Sequence, residues 1–188
     1  MCFSFEISIG TFLVSWTISL YLLNKNLTMK QKHNVIFLMI FSSIQLADAI
    51  LWYIKMEKNI INYYVTSYII PIILSLQIIY NIYVRNKINN IYVNLFIIIL
   101  IITIFIKFNG YSTSVCDNKF SSPVWGSNEI KLWQLFLFAF IICYPNWNLM
   151  WQLILGIIFI KFISNGGYGS LWCAVANIIA IKYLFTYG

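Results

Sequence analysis

From Ile91 to Ile106 the chain runs without a single charged residue, and comparable apolar stretches recur along its whole length. A helix needs about 20 such residues to cross a bilayer, because only a helix or a closed barrel satisfies its own backbone there. Hydrophobic residues make up 61% of the 188 and charged residues 9%, where about 25% charged is usual for a soluble domain. So little charge cannot cover the surface of a soluble domain, whereas lipid accepts apolar surface on every side. The expected fold is an all-α integral membrane protein, a single transmembrane domain over residues 1–188 with room for about seven helices.

The hydropathy pattern predicts segments at Ile7–Leu23, Asn34–Ile54, Ile60–Val84, Ile91–Phe108, Glu129–Tyr144, Trp147–Phe162 and Tyr168–Phe185. Segments five and six are short for full spans and could instead form a re-entrant hairpin around Tyr144-Pro145-Asn146. Seven spans place the termini on opposite faces. The longest connection, residues 109–128, is then an extramembrane loop on the same face as the N-terminus, called the N-terminal face below. A loop of that length tends to form a lid or to be disordered. This one is expected to fold over the mouth of the bundle, with Trp125 near the interface.

The net charge of +7 comes from Lys and Arg placed singly or in pairs at segment ends. Such residues anchor helix ends and set topology, and no basic run interleaved with aromatics suits nucleic acid. The residues before segment one carry no Lys or Arg, while the first loop carries Lys25, Lys30 and Lys32. The N-terminus is therefore expected on the non-cytoplasmic side of a multi-pass protein. No basic leader or small-residue cleavage site precedes or follows the first apolar run, which is expected to stay as a span.

Ionisable residues at lipid depth are costly and need a reason. Asp48 lies about 9 Å from its segment end at 1.5 Å per residue. Gln45 precedes it by three residues and Trp52 follows by four, so all three share one helical face, which must look into the bundle. Segment seven brings Ser170, Trp172 and Cys173 to similar depth, and Cys2 and Glu6 precede segment one on the same side. If these helices adjoin, the residues form one polar cluster. It could be a ligand, ion or proton site, or a set of helix ties beside a Cys2–Cys173 or Cys2–Cys116 disulfide. Metal binding is disfavoured: there is no Cys-x-x-Cys, and the only histidine, His33, falls on the opposite face. Gly167-Tyr168-Gly169 lacks the flanking residues of a potassium filter. Lys182 lacks the counter-ion of a retinal lysine and is expected to snorkel.

Met1-Cys2-Phe3-Ser4 resembles the start of an uncharacterised family of polytopic membrane proteins that begin Met-Cys-Phe-Ser and occur in bacteria and large DNA viruses. Gln45, Asp48 and Trp52 are similar to that family's Gln-Gln-x-x-Glu-Gly-x-x-Trp, with Ile44, Asp48 and Ala49 replacing three of its residues. Pro71 is similar to one of its membrane prolines. Ser170-Leu171-Trp172-Cys173-Ala174-Val175-Ala176 resembles its Ser-x-Trp-Cys-Phe-Phe-Ala with both Phe lost. The resemblance implies a seven-helix bundle and no established activity.

Three functions fit. The first is binding or transport of a small polar or lipid-like ligand through the cluster, with Pro71 letting segment three bend. The second is a structural membrane protein, for example of a virion envelope. The third is a membrane enzyme of lipid or thiol chemistry, with Cys2 or Cys173 as nucleophile and Asp48 or Glu6 as acid or base. Nothing in the spacing names a cofactor. The expected partners are the bilayer and a small-molecule or lipid ligand, not nucleic acid.

Overall fold

The computed structural model describes residues 4–117, 120–126, 131–147, 150–151, 153–155, 158 and 168–188, with backbone alone for 115–117, 120–122, 132 and 168–174. Among these the chain is largely helical. The elements are α1 (Phe5–Leu23), α2 (Met29–Tyr53), α3 (Ile60–Arg85) and α4 (Ile91–Phe108), then β1 (Thr113–Asp117), β2 (Phe120–Val124), α5 (Leu132–Cys143) and α6 (Tyr168–Tyr187). Four of them, α1 to α4, are long and apolar enough to cross a membrane. Most of segment six lies outside the described residues, so its course is not described.

α2 and α3 form the centre, and α1 and α4 are outer helices. Well over half of α2 and α3 is buried, against about a fifth of α1 and α4. α1 starts at Ser4, whose hydroxyl accepts from the Ile7 amide. It buries Ser8, Ser15, Ser19 and Leu22 on one face while Leu13, Val14 and Leu20 stay exposed. Small side chains at this spacing let helix backbones approach closely, and α1 packs against α2 and α6 through that face. Ser15 donates to Asn177 of α6 at 3.2 Å.

Both central helices depart from regular α geometry, for readable reasons. In α2 the Ser42 and Ser43 hydroxyls both donate to the Met39 carbonyl, at 3.2 and 2.8 Å. Such back-bonding competes with the helix ladder, and the α-helical run is interrupted at Ser43, just before Gln45 and Asp48. In α3 Pro71 supplies no amide and its ring crowds the carbonyl four residues back. Val65–Ile69 relaxes into π geometry, with Ile70 N–H reaching Val65, and α3 continues through the proline. A second π stretch covers Tyr80–Arg85.

Part of the long loop is a small sheet. β1 and β2 make an antiparallel hairpin, with Thr113 opposite Val124 and Asp117 opposite Phe120, and β2 packs against α6. The all-α expectation therefore needs this small sheet added.

The ends of the bundle are fixed by contacts. Phe5 lies 5.7 Å from Tyr53, ring to ring, so α1 starts where α2 ends. At the other end Asn34 near the start of α2 donates to Tyr187, the last residue of α6. The two described chain ends thus sit at opposite ends of the bundle.

Candidate functional site

At the N-terminal end the loop is tied to α3 chiefly through Asn62. Asn62 is fully buried. Its two amide hydrogens are shared among the carbonyls of Met56, Glu57 and Ser112, at 3.1, 3.0 and 2.9 Å from the nitrogen. Its oxygen accepts from Ser112 N–H at 2.8 Å and from Thr66 at 3.0 Å. Ser67 exchanges hydrogen bonds with Gly110. The tight turn held here has Lys55 and Met56 in the left-handed region, at φ 53° and 52°, a conformation non-glycine residues need support to keep.

From that anchor the hairpin returns the chain to the bundle, and Trp125 enters it. Trp125 is buried, and its indole Nε1–H donates to Asp48 Oδ1 at 2.7 Å. Its ring lies 6.1 Å from that of Phe108. The insertion is served by Gly126, whose φ of +79° favours glycine and where a Cβ would be tight against backbone, 3.0 Å from Phe108 Cα and 3.1 Å from the Lys107 carbonyl. Trp125 is thus an interior residue of the protein.

The expected polar cluster is divided by the structure. Gln45 and Asp48 are both buried, on the half of α2 that packs against α1 and α6. Trp52 is half-buried on the same face, and its indole N–H has no partner among the described residues. Glu6 does not join them. It is exposed, because the inward face of α1 runs through Ser8, Ser15 and Ser19, and Glu6 points away from that face. Cys2 lies outside the described residues, as do the side chains of Ser170, Trp172 and Cys173. The disulfide expectations fall outside them too, since the Cys116 side chain is also not described. Among the described residues no three of His, Cys, Asp and Glu converge as metal ligands would.

A groove of about 250 Å³ lies on the other side of Trp125. Its walls are Leu74 of α3, Phe96, Leu100 and Ile104 of α4, and Leu135 and Phe138 of α5. Lys107, Trp133 and Gln134 line its N-terminal end. Thr103 also lines it, but its hydroxyl donates to the Ile99 carbonyl of its own helix at 2.8 Å. The groove is therefore apolar along its length with polar groups at one end. Trp125 forms part of its wall while its N–H points to Asp48, so one side chain separates the apolar groove from the buried carboxyl.

α3 also carries a polar stripe that its hydropathy does not mark. Gln77, Asn81 and Arg85 recur every four residues, which puts them on one face. Gln77 is fully buried, and its amide has no partner among the described residues. Asn81 donates to the carbonyls of Ile141 and Tyr144 at 2.8 and 2.9 Å, fastening α5 to α3.

No family model, curated protein or solved structure matches the chain.

Proposed function

We propose that the chain is an integral membrane protein of seven spans that holds a lipid-like ligand in the groove between α3, α4 and α5. The groove carries this reading. It lies between helices, is lined mostly by apolar side chains, and ends at Lys107, Gln134 and Trp133. That profile fits an acyl chain with its polar head at the N-terminal end, where Lys and Trp side chains favour a membrane interface. Its volume is close to the lower end of small-molecule sites, about 300 Å³. Membrane embedding is supported by the large apolar side chains left exposed on α1 and α4, among them Leu13, Leu20, Ile98, Ile102 and Ile106. Soluble monomers seldom expose contiguous apolar patches beyond about 300–600 Å². The non-cytoplasmic N-terminus and the kinship with the Met-Cys-Phe-Ser family belong to the same proposal and rest on the residues given above.

The Asp48–Trp125 bond favours a second reading, a structural membrane protein in which this pair is only a tie. Filling the groove separates the two. Leu100 faces the groove and is only partly buried, so Leu100→Trp should place an indole in the ligand's space and leave the fold intact. Native mass spectrometry of the detergent-purified protein should show a retained lipid on the parent and at least a fivefold smaller fraction on the variant. Equal retention by both, or none by the parent, would favour the structural reading.

A further inference from the structure

The two ends of the bundle differ in charge in a way that isolates one residue. The sequence has five acidic residues: Glu6, Asp48, Glu57, Asp117 and Glu129. Glu6 begins α1, Asp48 and Glu57 belong to the end of α2 and the turn after it, and Asp117 ends β1. Glu129 lies outside the described residues, and the other four go with the N-terminal end. Among the described residues the other end holds Lys25, Lys30, Lys32, Arg85, Lys87 and Lys182 and no acidic side chain.

Five of those six are lysines on flexible stems. Arg85 differs in being half-buried and fixed. Nη1 donates to Asn81 Oδ1 and Nη2 to Asn34 Oδ1, each at 2.8 Å. The guanidinium carbon lies 4.8 Å over the Phe37 ring. Asn34 in turn donates to Tyr187, and Asn86 donates to the Asn81 and Tyr144 carbonyls. The fork is thus aimed by neutral groups from α2, α3 and the turn after α5. Three of its five N–H donors have no partner among the described residues. A small cavity of about 10 Å³, lined by Asn34, Phe37, Arg85, Cys143 and Tyr183, adjoins it. That space admits about one water, so an anion meeting the fork must do so from its outer edge.

A guanidinium partly removed from water without a carboxylate partner loses hydration that its neutral neighbours only partly replace. The planar fork matches a tetrahedral oxyanion, to which arginine binds through two parallel hydrogen bonds. Among the described residues no carboxylate hydrogen-bonds to Arg85, whose partners are the neutral Asn81 and Asn34, which leaves its counter-charge to another molecule. We propose that Arg85, oriented by Asn34 and Asn81, is a binding site for the phosphate group of an anionic lipid at the end of the bundle opposite the loop hairpin. The lipid as source rests on the membrane reading, whereas the phosphate chemistry does not. The site is separate from the α3–α4–α5 groove, so either can fail alone.

The test uses the full chain in a neutral detergent. Phosphatidylglycerol should raise the unfolding midpoint of the parent in a saturable way, with phosphatidylcholine of the same chain length having little effect. Arg85→Gln should weaken the phosphatidylglycerol response at least tenfold in apparent affinity, and Arg85→Lys should weaken it less. Lys87→Gln and Lys182→Gln should stay within about twofold of the parent, since neither is part of the fork. Inorganic phosphate acting at concentrations comparable to the lipid would keep the site and make its occupant a soluble anion. Equal responses to the two lipids, or equal losses in the lysine variants, would overturn the proposal by showing chain burial or diffuse attraction. If Arg85→Gln does not fold, Arg85→Lys and the two-lipid comparison on the parent still decide it.

Discussion

Asp48→Leu is expected to lower the stability of the bundle by about 2–3 kcal/mol, the cost of stranding a buried donor, and Asp48→Asn to stay within about 1 kcal/mol of the parent. The partner at risk is the Trp125 indole, which donates to Asp48 at 2.7 Å inside the protein. Asparagine offers an amide oxygen in nearly the same place and keeps that bond. Leucine offers nothing, and the indole N–H cannot turn to water without withdrawing Trp125. Withdrawal would expose Trp125 and undo its contact with Phe108, so protease cleavage within residues 109–128 should speed up in Asp48→Leu together with the drop in unfolding midpoint. If Asp48→Asn loses as much stability as Asp48→Leu, the carboxyl does more than accept one hydrogen bond. If neither variant changes cleavage, the carboxyl does not hold the loop.

A larger loss is expected at Asn62, about 3–5 kcal/mol for Asn62→Leu, since several buried groups lose partners at once. Three carbonyls, one amide and one hydroxyl meet on this amide side chain. Asn62→Asp should be nearly as harmful, because it turns an oxygen toward carbonyls that need a donor. Hydrogen exchange at the Ser112 amide is the most direct readout, because its bond is to Asn62 Oδ1 at 2.8 Å. Exchange there should rise strongly in Asn62→Leu, and the unfolding midpoint should fall. An unchanged Ser112 amide would mean that the loop is held by the hairpin and Trp125 without this anchor.

The outline of the fold is readable in the sequence because charge is so scarce that its few positions mark the helix ends. The inward face of α2 is readable for the same reason, since a carboxylate and an amide three residues apart in an apolar helix have one tolerable direction. The partner of Asp48 is not readable. Trp125 is 77 residues away, in a loop whose Gly, Ser and Asn content suggests no structure, and its entry is served by a backbone geometry at Gly126 that favours glycine. Glu6 illustrates a different failure. Proximity along the chain puts it at the right depth, but depth does not fix the direction a helix faces, and the serine stripe of α1 turns it outward. Gln77, Asn81 and Arg85 recur every four residues, a signal present in the sequence but outweighed there by Asp48, the clearest carboxylate inside an apolar segment.

The claim that the groove holds a lipid can be tested in the membrane itself. A photo-crosslinking benzophenone residue placed at position 100 would face the groove, and one at position 106 would sit on the exposed side of α4, where Ile106 is 68% accessible. Both should crosslink acyl chains when irradiated in membranes. After extraction and extended exchange into detergent, irradiation should still yield a lipid adduct at position 100 and none at position 106. Loss of the adduct at both positions, or equal persistence at both, would contradict a lipid held between α3, α4 and α5.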